Sequence, residues 1–244
     1  MFVSVSKLCY EIGLDEEIAR YFVDRKVPAN NSFWEKRFVY IGRANGYISI
    51  PVYYDLLYKI GISKEILLAE DHVQFMEQLM HYAILHEKQE ISSFQQLERM
   101  NELLAGRIRD QAFFEELISY LTQSVLLPIG RLGTPNPSLN RADAFLFVLC
   151  DLPLSENQLT LAIKYWYALH PCYLIFDDIH DYQKDKSDGE ENVIMEWGDG
   201  QKGLERAIAV LEENARILEN LNQKLSESIA LHIEELREQS IKLE

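Results

Sequence analysis

The segment Asp177-Asp178-Ile179-His180-Asp181-Tyr182-Gln183-Lys184-Asp185-Lys186-Ser187-Asp188-Gly189 spaces Asp177, Asp181, Asp185 and Asp188 at intervals of four, four and three. On a helix of 3.6 residues per turn these four carboxylates share one face over three turns, with Asp178 at its edge. Each like-charged pair one turn apart costs roughly a few tenths of a kcal/mol. A helix carrying such a stripe therefore needs compensation from outside the segment. A hard divalent cation supplies it, because carboxylate oxygens are the ligands Mg²⁺ prefers. The charge is also concentrated here. Residues 177–200 hold nine acidic residues and two Lys, a net −7 (−9 + 2) within a chain total of −15.

The rest of the chain reads as helical. Only 11 Gly and 7 Pro punctuate 244 residues, which favours long helices over many short strands. The acidic balance argues against nucleic acid or an anionic membrane as the main partner. Cys9, Cys150 and Cys172 form no CxxC, so they read as buried thiols in a reducing compartment. The longest apolar runs, 144–150 and 173–176, are too short to span a bilayer, and the N-terminus lacks a basic region followed by an apolar stretch. The expectation is a cytoplasmic protein that is not integral to a membrane.

Taken in order, residues 6–25 predict an amphipathic helix broken by Pro28. The aromatic-rich stretch 32–60 predicts two shorter helices divided by Gly42, Gly46 and Pro51. The alternation of Ile48, Ile50 and Val52 leaves a β element at 47–52 as the other reading. Helices follow at 63–87, from Ser92 or Ser93 to Gly106, at 110–127 and at 141–150, with the Pro- and Gly-rich loop 128–140 between the last two. Ser155 and Glu156 open the helix that carries the aspartates. Pro171 is expected to kink it and Gly189 to end it. Apolar residues at threes and fours then predict one helix over 202–243, ~60 Å long if unbroken, which covers the bundle or pairs with a second copy. No linker divides the chain, so the fold class is all-α, one helical domain over residues 1–244.

With Tyr173-Leu174-Ile175-Phe176 before it and Gly189-Glu190-Glu191-Asn192-Val193 after it, the aspartate segment resembles the second aspartate-rich region of the trans-isoprenyl diphosphate synthase and class I terpene synthase superfamily. That region has apolar residues, then DDxxD, then a further Asp four on and a Gly shortly after. The resemblance implies a helical bundle around an apolar central cavity, in which aspartates on two facing helices bind Mg²⁺. The metal holds the diphosphate of an isoprenyl substrate and draws it off, leaving an allylic carbocation. Carried over by position, Asp177 and Asp181 would be direct metal ligands, and Asp178 and Asp185 outer ones. Tyr165, Trp166, Tyr173 and Phe176 would line the cavity or belong to ordinary core packing. Family members are commonly homodimers, so a homodimer is implied.

The chain departs from the family pattern in named ways. No DDxxD precedes residue 177. The nearest counterpart is His86-Glu87-Lys88-Gln89-Glu90, which offers Glu87 and Glu90 as metal ligands from the end of the 63–87 helix. The glycine-lysine-arginine signature of chain-elongating synthases and the Asn/Ser/Glu metal triad of cyclases are both missing. Candidate diphosphate-binding bases are Arg131 in the loop, Arg107, Arg109, Lys36, Arg37 and Arg43. Three other readings stand beside this one: a solvated acidic face, an EF-hand-like calcium loop from Asp185 through Ser187 to Glu196 with Gly189 out of register, and a non-catalytic relative that acts as a subunit or partner of an active synthase.

Overall fold

Two hydrogen-bonded brackets fix the helix on which the rest is assembled. Ser155 accepts from the Gln158 backbone N–H while the Gln158 side chain accepts from the Ser155 N–H, a capping box that starts the helix. Gly189, at φ +71, ends it in the left-handed conformation. Between them, Glu156–Asp188 runs for 33 residues and continues through Pro171. The computed structural model describes residues 4–26, 30–32 and 48–240. Among these there is no strand, only one isolated bridge between Ile129 and Leu132, so the fold is all-α.

In chain order the helices are α1 (Val5–Lys7), leading into a π turn at Leu8–Ile12, α2 (Glu16–Asp24), α3 (Ser49–Lys59), α4 (Lys64–Leu67), α5 (Glu70–Glu87), α6 (Ser93–Leu104) and α7 (Gln111–Leu121). Two 3₁₀ segments follow, Pro137–Asn140 and Asp143–Asp151, then α8 (Glu156–Asp188), α9 (Val193–Glu196), α10 (Gly200–Glu219) and α11 (Gln223–Ser240). α8 lies between α3 and α10; α5 packs on α6 and on the 143–151 segment, and α11 returns along α10 to the N-terminal π turn. One apolar core joins Leu8 to Ile233 through these contacts. No described helix is long and apolar enough to cross a membrane.

Several predicted boundaries are corrected. The 6–25 helix is interrupted at Gly13 (φ +78), and Asp15 caps a new start by accepting from the Glu17 and Ile18 N–H groups. The alternation is helical, with Ile48 as the N-cap of α3 and Ile50 and Val52 inside it; Tyr47 and the rest of 33–47 lie outside the described residues. The 63–87 helix is two helices, because Ala69 is extended (ψ 130) between α4 and α5. The 110–127 helix ends at Leu121, and 141–150 is 3₁₀ rather than α.

The largest correction concerns 202–243, which is a helical hairpin. Asn222, buried, accepts from the Leu225 N–H at 3.1 Å and donates to the Gly13 carbonyl at 3.4 Å. That side chain starts α11 afresh and ties the turn to the N-terminus, so no ~60 Å helix extends from the bundle. The apolar rhythm persists across the turn because both helices bury the same kind of face.

Candidate functional site

The fold divides the aspartates of α8 into two groups. Asp178 is buried. It receives Arg141 Nη2 at 2.6 Å and Nη1 at 3.4 Å, and its second oxygen accepts the Val193 backbone N–H at 2.8 Å. Asp185, also buried, accepts from Asn192 Nδ2 at 2.9 Å, and the same amide reaches the Asp178 carbonyl at 2.7 Å. These two carboxylates pin the chain after α8 back against the helix. Asp177 and Asp181 are different: among the described residues neither is joined to any group by a hydrogen bond or an ion pair. Asp188, at the exposed end, comes no closer than 4.0 Å to Lys184.

Asp177 feels this crowding. Partial desolvation and then the charge of Asp181 hold its carboxyl above the usual carboxylate range, against the pull of Arg141. Arg141 is ion-paired to Asp178, and the charges of Glu191 and Asp177 act on it as well. Among the described residues it is the guanidinium paired to the aspartate face, while Lys184 stands 4.0 Å from Asp188 at its far end; Arg141 was absent from the sequence-derived candidates. Its position directly after the 128–140 loop was the available signal, since that loop's 3₁₀ end, Pro137–Asn140, packs on α8. A second strut joins the same segments: Trp197 Nε1 donates to Asn136 Oδ1 at 2.6 Å.

Toward the N-terminus of α8 the same face carries His170, about two turns from Asp177. Its imidazole stacks on Trp166, with ring centroids 4.4 Å apart and planes at 6°, and both ring nitrogens are buried without a partner in the described structure. Burial, and then the charge of Arg141, push it down to about 3, so it is neutral at pH 7. Trp166 stacks by its other contact on Phe145 (5.2 Å, 9°) and donates Nε1 to buried Asp143 at 2.8 Å. Asp143 also accepts from Tyr120 (2.6 Å) and Tyr167 (2.8 Å). Those three neutral donors offset its burial only in part, and its carboxyl is raised to about 6.

Other sequence-derived residues lie elsewhere. Arg131 is paired with Glu116 and with Glu156, the first residue of α8, roughly six turns or ~30 Å from Asp177. It cannot serve the same site. Arg107 pairs with Asp151 and Asp71 over the Phe75 ring, on the α5 side. Arg109 donates its backbone N–H to Cys150. Glu87 and Glu90 are exposed at the end of α5; Glu90, with His86 and Gln95, borders an open depression of about 400 Å³.

Among the aromatics, Phe176 meets His232 of α11 at 5.7 Å. Tyr165 lies three turns earlier on the same side, so both sit roughly 100° round the helix from Asp177. Tyr173 lies within about 40° of Asp177 on the same construction. The calcium-loop reading fails, because Asp185 to Asp188 are the last turn of α8 and Asp185 is bound to Asn192. Lys36, Arg37 and Arg43 fall outside the described residues. Among the described residues no three His, Cys, Asp or Glu side chains converge as a protein-only metal cage. Comparison with known protein families, with curated proteins and with solved structures returned no match.

Proposed function

We propose that the chain holds Mg²⁺ on Asp177 and Asp181 and ionises an isoprenyl diphosphate with release of pyrophosphate, as a terpene synthase or prenyltransferase-like enzyme. The observation that carries this reading is the division of the stripe: the fold consumes Asp178 and Asp185 and leaves two carboxylates, one turn apart, unpaired among the described residues, with the charge of Arg141 acting on Asp177. The donor set suits the ion. Mg²⁺ is commonly held by one or two carboxylates, with substrate phosphates and waters completing its octahedron, so a third protein ligand is not required. Bound there, the metal supplies charge neutralisation to the leaving diphosphate.

The chain's own residues take the remaining roles. Arg141 presents its guanidinium to diphosphate oxygens, with Asp178 fixing its orientation. Tyr173 offers a π face on the side of Asp177, where a developing allylic cation is stabilised. Asp178 and Asp185, through Asn192 and Val193, hold the chain after α8 against the helix.

A second reading is a catalytically degenerate isoprenoid-synthase-like subunit or binding partner. It is favoured by the placement of Glu87 as the last residue of α5 and Glu90 just beyond it, since the principal contacts of α5 are α6 and the 143–151 segment. Incubation with Mg²⁺ and geranyl, farnesyl or geranylgeranyl diphosphate separates the two. The first reading requires pyrophosphate release that Asp177→Ala abolishes. No release from any of the three leaves only the second.

A further inference from the structure

Asp143 is a fully buried carboxyl held by neutral groups alone. Trp166 Nε1 donates to its Oδ1 at 2.8 Å, and the hydroxyls of Tyr120 and Tyr167 donate to its Oδ2 at 2.6 and 2.8 Å. The charged groups on the elements around it are engaged elsewhere. Glu116 of α7 pairs with Arg131, and Arg141, two residues before Asp143, pairs with Asp178. His170 of α8 is neutral and stacks on Trp166. From α5 and α6, which pack on the 143–151 segment, His72 pairs with Asp151 at its other end and Arg99 lies over the Tyr82 ring. A charge buried without a counter-ion is costly, whereas a neutral carboxyl in the same place keeps a donor and acceptors for the two rotatable phenols. The closed arrangement therefore favours the protonated acid and water favours the anion.

The same phenols seat the loop between α7 and the 143–151 segment. The Gly133 N–H donates to Tyr167 Oη at 2.6 Å, and the residue is pressed so close that a Cβ there would stand 2.9 Å from the Tyr120 ring. Eight residues on, that chain delivers Arg141 to Asp178. We propose that Asp143 is a pH-sensitive latch on the loop 128–142: protonated, it holds the loop closed on Tyr120 and Tyr167, and ionised, it favours opening at Gly133, where water reaches the carboxylate. The proton goes to solvent. This inference does not rest on the diphosphate-ionising reading.

The sign and size follow from linkage. The carboxyl titrates at about 6 when closed and at its ordinary 3.8 when hydrated, so the latch holds fully below 3.8 and is lost as the pH rises through about 6. Between pH 5 and pH 7.5 this raises the opening constant about tenfold.

Amide hydrogen exchange of the full chain, followed by NMR and divided by the intrinsic rate at each pH, reads that constant at Gly133. Its rise from pH 5 to pH 7.5 should be about tenfold larger in the wild type than in Asp143→Asn, whose amide mimics the neutral acid. The comparison cancels any pH dependence that His170 adds to both proteins. Equal pH dependence in the two proteins overturns the proposal. So does a change at the Leu225 amide, at the α10–α11 turn, equal to that at Gly133, since the opening is then global. A measurement on the wild type alone stands even where Asp143→Asn does not fold: with ¹³C-labelled aspartate, the Asp143 carboxyl signal should titrate near pH 6, and a midpoint at 4 or below overturns the latch.

Discussion

Replacing His170 with Phe should change how the fold responds to acid. In the folded protein the imidazole is pushed down from 6.5 to about 3, so between those values the unfolded chain binds the proton that the folded chain refuses. Stability from this group is present above 6.5 and is lost as the pH falls. Between pH 7.5 and pH 5 the loss comes to about 2 kcal/mol. Asp143 acts in the opposite sense. Its carboxyl is raised from 3.8 to about 6, so the folded state binds the extra proton, and stability is gained as the pH falls through that window. Over the same interval the gain is about 1 kcal/mol. The two terms partly cancel in the wild type. In His170→Phe, which keeps an aromatic ring against Trp166, the Asp143 gain stands alone. Urea unfolding followed by circular dichroism at the two pH values should therefore show a variant that gains about 2 kcal/mol on the wild type as acid is added. Asp143→Asn should do the reverse by about 1 kcal/mol. Parallel pH dependences in wild type and His170→Phe would refute the claim that a neutral, buried imidazole sits at this position.

The division of the aspartates gives a stability contrast. Asp178→Ala leaves the Val193 N–H and Arg141 without their partner and should cost about 3 kcal/mol in denaturant unfolding, whereas Asp177→Ala should cost nothing or stabilise slightly. Gly203 lies in α10, where Gly→Ala ordinarily stabilises by about 1 kcal/mol. Here a Cβ would stand 2.1 Å from the Ile194 carbonyl oxygen, so Gly203→Ala should instead destabilise by about 1–3 kcal/mol in the same assay, and a stabilised variant would show that the α9–α10 contact is misjudged. Asn222→Ala removes the cap between α10 and α11 and should lower stability by about 1 kcal/mol, with amide exchange speeding up first in 223–226.

Helix content and the long aspartate-bearing helix were legible because both follow from local rules: sparse Gly and Pro, a capping box at Ser155 and a left-handed Gly189. Periodicity could not reveal the breaks at Gly13, Ala69 and Asn222, since the apolar rhythm runs on through each of them. Those breaks depend on backbone conformation and on side-chain caps made to distant residues, such as Asn222 to Gly13. At the site, spacing put five carboxylates on or near one face but could not say which of them the fold would spend. Their partners, Arg141, Val193 and Asn192, are brought there by loops whose path spacing does not encode. Arg131 was misplaced for the same reason: it shares a loop with the site's neighbours yet binds the opposite end of α8. His170 carried a faint signal, seven residues before Asp177 and hence on its face, and only tertiary packing shows that its nitrogens lack partners among the described residues.

On the function proposed above, Asp177 and Asp181 together would hold a divalent cation that carries a diphosphate. Isothermal titration of inorganic pyrophosphate into the protein with Mg²⁺ present tests this without depending on turnover. Binding should be saturable, should vanish without Mg²⁺, should be abolished by Asp177→Ala with Asp181→Ala, and should stay within a few-fold in Asp188→Ala. Undiminished binding in the Asp177/Asp181 double variant, or no Mg²⁺-dependent binding in the wild type, would contradict it.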